Sequence, residues 1–184
     1  GLKIDMLAAT HGPIWRKNLN YILNKYELWS TYQPEEKGAV IVFGSMYGNT
    51  EMMADTIARE LSVNGVKNIR VYDSSKTHKS YIISDIWKYN GLILGSCAYN
   101  GGIFTPMGDL INSLEAIGIN NRHVALFGSS SWGGGGLRVL EKWAENMKFD
   151  TIGPKPEVRC SPKQNDIELC NQIGREMAKI ILEQ

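Results

Sequence analysis

The sequence predicts a three-layer α/β sandwich around a five-stranded parallel sheet of order 2-1-3-4-5. Three observations carry that expectation. From residue 38 onward, short apolar runs alternate with longer amphipathic stretches, the rhythm of β-α units joined by right-handed crossovers. Three of the runs, Ala39-Val-Ile-Val-Phe43, Gly91-Leu-Ile-Leu94 and Val124-Ala-Leu-Phe127, are uninterrupted and each leads into Gly-Ser. Such strands are covered on both faces. The two other runs differ: Ile69-Arg-Val-Tyr-Asp73 alternates with polar residues, and Glu157-Val-Arg-Cys160 follows Pro154 and Pro156. Sheet edges tolerate both features, so the second and fifth strands go outside.

The helices follow in order. The stretch from Thr50 to Leu61 aligns Met53, Ile57 and Leu61 on one stripe, and that from Tyr81 to Tyr89 groups Ile82, Ile83 and Ile86. Thr105-Pro106 places a capping hydroxyl before a first-turn proline, a helix is expected from Leu137, and Ser161-Pro-Lys-Gln164 reads as a capping box. The last helix puts Ile167, Cys170, Ile173, Met177 and Ile180 on one face. Ahead of all this, Trp15, Leu19, Ile22, Leu23, Tyr26 and Trp29 share a helical stripe that predicts a connecting helix.

Composition narrows the function. The 184 residues carry Lys+Arg 20 against Asp+Glu 19, a net charge of +1, with 43% hydrophobic and 21% charged residues. This balance argues against a disordered chain, a coiled coil or a basic nucleic-acid binder. The 3 cysteines (Cys97, Cys160, Cys170) have no zinc or C-x-x-C spacing, which favours a reducing compartment. No apolar run nears the roughly 20 residues of a membrane helix, and no basic-then-apolar signal opens the chain, so no membrane partner and a cytoplasmic location are expected. Residues 38–184 hold 15 basic and 15 acidic side chains.

In a sheet of this order, ligands bind beyond the carboxyl ends of the strands, on the loops after strands 1, 3 and 4. The first loop, Ser45, Met46, Tyr47, Gly48, Asn49 and Thr50, offers hydroxyls and a helix amino terminus to an anion, as a phosphate requires. It has no P-loop lysine, and no G-x-G-x-x-G occurs in the chain. The second, with Cys97, Ala98, Tyr99, Asn100 and Gly101, is long and pairs aromatics with glycines. The third, Ser129, Ser130, Ser131, Trp132, Gly133 and Gly134 running on to Gly136, adds a π surface and glycines that let backbone approach a ligand. A phosphate attached to a planar ring fits this trio, and FMN fits better than NAD or ATP.

These residues also carry a resemblance. Ser45-Met-Tyr-Gly-Asn-Thr50 resembles the flavodoxin phosphate loop, [ST]-x-[ST]-G-x-T, with Tyr47 in place of a small hydroxyl. Gly95-Ser-Cys-Ala-Tyr-Asn-Gly-Gly102 is similar to the second flavin loop of flavodiiron proteins (A-type flavoproteins), where Gly-Ser-Pro-Thr-Tyr-Asn is common; Cys97 and Ala98 replace Pro and Thr. The Trp132 loop is similar as well. Thr10-His-Gly-Pro-Ile-Trp-Arg16 resembles the end of that family's metallo-β-lactamase-like domain, whose His is the last ligand of a non-haem di-iron centre.

The resemblance implies a flavodoxin-like fold over 38–184, preceded in 1–37 by a remnant of the di-iron domain and its connecting helix. It implies an FMN electron-transfer domain of an oxygen or nitric oxide reductase, an oxidoreductase in which this part relays electrons and needs no catalytic base or nucleophile. The donor would be a rubredoxin or an NADH-dependent reductase, and the acceptor a di-iron site with His11 as ligand, held only in the intact parent. Tyr99 and Trp132 are expected against the ring, the Asn100–Gly101 peptide near its N5 edge, and head-to-tail pairing makes a homodimer possible. A stand-alone flavodoxin carrier and an NAD(P)H-dependent FMN quinone reductase are the alternative readings.

Overall fold

The computed structural model of the chain describes residues 3–183. Its elements run β1 (Leu7–Ala8), β2 (Ile14–Trp15), α1 (Leu19–Ser30), β3 (Glu36–Gly44), α2 (Asn49–Val63), β4 (Ile69–Asp73), α3 (Lys79–Lys88), β5 (Tyr89–Tyr99), β6 (Gly102–Ile103), α4 (Thr105–Ala116), β7 (His123–Ser130), α5 (Gly136–Asn146), β8 (Glu157–Arg159) and α6 (Gln164–Glu183). The main sheet has the order β4-β3-β5-β7-β8, every one of these pairs parallel, which is the expected 2-1-3-4-5.

Alternation along the buried strands sends successive side chains to opposite faces. Val40, Val42, Leu92, Leu94, Val124 and Leu126 pack with Ile82, Ile86, Leu110, Leu114, Leu140 and Trp143 of α3, α4 and α5. Ile41, Phe43, Ile93 and Phe127 pack with Met53, Ile57 and Leu61 of α2 and with Cys170, Ile173 and Met177 of α6. No helix among the described residues is long and apolar enough to cross a membrane.

Helix starts differ from the expected ones. Thr105 is already helical and Phe104 is the cap, without a side-chain cap bond. At α6 the capping role falls to Lys163, whose backbone N–H donates to the Asp166 carboxylate at 2.9 Å, rather than to Ser161. Ile181, not Ile180, is the fully buried residue near its end. Trp15 belongs to β2, which pairs antiparallel with β1, so the leading stripe begins only at Leu19.

The leading segment is docked where α1 ends. Tyr32, at φ 56, stacks on Trp87 with ring centroids 5.2 Å apart. The guanidinium of Arg122, 5% exposed, donates to the carbonyls of Ile86 (2.8 Å), Trp87 (2.9 Å), Tyr32 (2.7 Å), Asn120 (3.1 Å) and Asn121 (2.8 Å). Burial pushes its pKa down to about 10, which leaves it charged at neutral pH. Beside it, Glu35 accepts from Lys25 and from Trp29 Nε1 (2.6 Å), and its N–H donates to the Lys88 carbonyl at 2.9 Å.

Burial alone would raise the Glu35 carboxyl, but the Lys25 and Trp29 donors outweigh it and hold its pKa below the usual 4.5. A folded-state pKa below the unfolded one gives stability that is present above about 4.5 and lost as pH falls through the folded value. Acid titration followed by Trp fluorescence should therefore show α1 loosening below that point, and Glu35→Gln should flatten the transition. An unchanged acid transition in Glu35→Gln would count against this network.

Candidate functional site

Three connections meet beyond the carboxyl ends of β3, β5 and β7. The first enters α2 through Gly48, whose positive φ of 84 turns the chain into the helix. The Gly48 N–H donates to Ser45 Oγ at 3.0 Å, and no side chain caps the first turn of α2, so its amides face the site unclaimed by a cap. The neighbouring Thr50 is fully buried, and its hydroxyl shares a 2.8 Å hydrogen bond with that of Ser129. This pair ties the first connection to the third.

The second connection is a β-hairpin rather than a long loop. Ala98 pairs with Ile103 and Tyr99 with Gly102, leaving Asn100 (φ 48) and Gly101 (φ 73) as a two-residue turn. Asn-Gly with both φ positive is the type I′ combination. Ser96 anchors the hairpin: its hydroxyl accepts from the Phe104 N–H (3.2 Å) and donates to the Cys97 carbonyl (2.9 Å). Phe104 lies over Gly44, and Tyr99 meets its ring edge-on at 6.3 Å. Burial pushes the Cys97 thiol up, against a backbone hydrogen bond from Met46.

The third connection explains its glycines differently from the expectation. A Cβ on Gly135 would lie 2.3 Å from the Gly101 carbonyl oxygen, and one on Gly136 would lie 2.8 Å from the Cys97 carbonyl oxygen. These two glycines let the third connection press on the second. Gly134 faces the Glu157 carboxylate, which accepts from the Gly135 N–H at 3.2 Å. Only Gly133 opens onto free space.

Together they form one cleft with two ends. The small end, about 30 Å³, is lined by Ser45, Met46, Tyr47 and Asn49 from the first connection, Cys97 and Ala98 from the second, and Ser129, Ser130 and Ser131 from the third. Met46, Tyr47, Ala98 and Ser131 continue into a wider end of about 260 Å³ with Tyr99, Asn100, Gly101, Trp132 and Gly133. Trp132 is 90% exposed, Tyr47 81% and Tyr99 42%. Such aromatic area turned to solvent around a cleft is what a flat apolar group would cover. Gly48, Thr50 and Gly134 support these walls without lining either end.

His11 is not brought to the cleft. It is exposed between β1 and β2, in a groove of about 440 Å³ with Trp15, Ile22, Tyr26 and Trp29. Among the described residues no group of three or more His, Cys, Asp or Glu is placed to hold a metal ion. A single imidazole does not fit a di-iron centre, which needs several N and O donors.

Residues 41–174 match the family model described as Flavodoxin. The chain belongs to the flavodoxin family. Over 179 residues, 97% of its length, this flavodoxin chain is 27% identical to an anaerobic nitric oxide reductase flavorubredoxin from Escherichia coli O1:K1. It spans 37% of that relative's length. Among solved structures, rubredoxin oxygen:oxidoreductase from Desulfovibrio gigas superposes with a TM-score of 0.90 at 25% identity, covering 97% of this chain and 45% of that one. The oxidised flavodoxin 1 of Bacillus cereus gives 0.68 at 27% identity, covering 77% of this chain and 97% of its own. The likeness to rubredoxin oxygen:oxidoreductase thus extends over the leading segment, while the likeness to the flavodoxin covers less of the chain.

Flavodoxin domains bind FMN, and the cleft fits that group: hydroxyls and uncapped amides at the narrow end, exposed aromatics at the wide one. Sequence reasoning missed Glu157, Arg138 and Arg159, whose side chains meet the backbone of the walls. Their signals were spatial: Arg138 reaches a carbonyl 37 residues away, and Arg159 one 28 residues away.

Proposed function

We propose that residues 38–184 form an FMN electron-transfer domain of a flavodiiron oxygen or nitric oxide reductase, and that 1–37 belong to its di-iron part and the connecting helix. The observation that carries this reading is the two-ended cleft, narrow and polar beside α2, wide and aromatic beside Tyr99 and Trp132. FMN supplies the redox chemistry when bound; the protein sets its position and potential.

Ser45, Asn49, Ser129 and Ser130 would hold the phosphate at the narrow end, helped by the amino-terminal amides of α2, with Thr50 fixing Ser129. Met46, Tyr47, Cys97 and Ala98 would flank the junction between phosphate and ring. Tyr99 and Trp132 would enclose the ring, and the Asn100–Gly101 turn would meet its edge with backbone groups, a geometry that two left-handed residues make available. No side chain is required as a base or nucleophile.

Electrons would arrive from a rubredoxin or an NADH-dependent reductase and leave for a di-iron site to which His11 contributes one ligand in the intact parent. The likeness to the flavorubredoxin and to rubredoxin oxygen:oxidoreductase supports both partners. The exposed Tyr21, Tyr26 and Ile14 of the leading segment support a homodimer, and three unpaired thiols support a cytoplasmic setting.

Titrating the purified chain with FMN should give a yellow equimolar complex that quenches Trp fluorescence. Because Trp132 is almost wholly exposed, Trp132→Ala should leave thermal stability unchanged and weaken FMN about tenfold through lost aromatic contact. A chain that takes up no FMN, or one whose flavin is bleached promptly by NADPH without a partner protein, would overturn the proposal.

A further inference from the structure

Two arginines are tied to the two aromatic walls of the cleft. Arg138, in the first turn of α5, donates through Nη2 to the Gly101 carbonyl at 3.4 Å, in the turn beside Tyr99. Arg159, at the end of β8, donates through Nε to the Ser131 carbonyl at 3.2 Å, one residue before Trp132. Carbonyl oxygens hold a guanidinium without neutralising it. Arg70 and Arg175 are paired with carboxylates, but among the described residues neither Arg138 nor Arg159 has an ion-pair partner. No Asp or Glu lines either end of the cleft. Glu157, behind the cleft, is directed at the Gly134–Gly135 backbone, and two guanidiniums against this carboxylate leave the trio with a net positive charge.

The geometry points to Arg138 and Arg159 as positioning residues that bias a flavin in this cleft towards its reduced state. The inference rests on the FMN site proposed above. Two-electron reduction of an isoalloxazine takes two electrons from a donor and, near neutral pH, one proton from solvent, so the ring gains one negative charge. Positive charge already fixed at the walls favours that product over the neutral oxidised ring, and needs no rearrangement to do so. Both guanidiniums are exposed, so water and salt screen the effect to a modest size.

The test compares the full 184-residue chain loaded with FMN, its Arg138→Gln/Arg159→Gln double variant and its Arg138→Lys/Arg159→Lys double variant. Each is titrated with dithionite for the two-electron midpoint, and oxidised FMN affinity is measured in parallel. Removing both charges should favour the oxidised state about tenfold, read as a fall of about 30 mV in the midpoint. The Lys pair, which keeps charge but not the planar fork, should hold the midpoint near that of the unaltered chain. An unmoved midpoint in the Gln pair, or an equal fall in the Lys pair, would show a merely structural role and overturn the inference while leaving the FMN site intact. Failure of the unaltered chain to bind FMN would instead overturn the proposed function and this inference with it.

Discussion

Arg122→Met should destabilise the chain by about 3–5 kcal/mol, the scale of leaving buried polar groups without their charged partner. Methionine replaces the aliphatic stem, but it leaves the carbonyls of Tyr32, Ile86, Trp87, Asn120 and Asn121 without the donor they share. In a chain of this length that corresponds to a fall of roughly 10 °C in Tm by calorimetry. Arg122→Lys, with a single ammonium in place of the fork, should fall between the two. Amide exchange should quicken first in α1 and around Trp87, since Tyr32 stacks there. A Tm within about 2 °C of the original would show that the carbonyls find other partners.

Gly135→Ala should damage the cleft itself. The added methyl would sit 2.3 Å from the Gly101 carbonyl oxygen and 2.7 Å from its carbon, backbone that cannot swing aside as a side chain does, and φ at this residue is 153. The Asn100–Gly101 turn must shift, at about 1–3 kcal/mol in stability. FMN affinity should drop about a hundredfold, because the displaced turn carries one wall of the ring site. Gly133→Ala is the internal control for the fold: its Cβ would meet no protein atom within 4 Å, and stability should hold. Equal stability of the two variants in thermal unfolding would refute the role given to Gly135.

The sheet order was legible because burial is written into strand composition. Runs such as Ala39-Val-Ile-Val-Phe43 can only sit inside, while Ile69–Asp73 and Glu157–Arg159 carry the polarity of edges. Helix starts were less legible. Thr105 and Ser161 have the right chemistry for caps, yet the chain enters α4 one residue earlier and α6 two residues later than those hydroxyls require. Trp15 fell on the helical stripe by coincidence of spacing, since a four-residue step cannot separate a strand end from a helix start.

At the cleft, most of the predicted lining residues converge as expected, because loops at one sheet edge have nowhere else to go. The reason for the glycine run did not follow from its composition. Gly135 and Gly136 answer to carbonyls of the second connection, a contact with no local signature. Arg138 and Arg159 were invisible for the same reason, being ordinary surface arginines until their carbonyl partners are placed.

One strand joins the two ends of this molecule. β5 begins at Tyr89, next to the Trp87 and Lys88 carbonyls that fasten the leading segment, and finishes at Tyr99 on the cleft. Ten steps at about 3.3 Å set those points roughly 33 Å apart. The strand is therefore a spacer of fixed length: the anchorage of the leading segment at its start and the cleft at its finish stand at opposite ends of one incompressible rod.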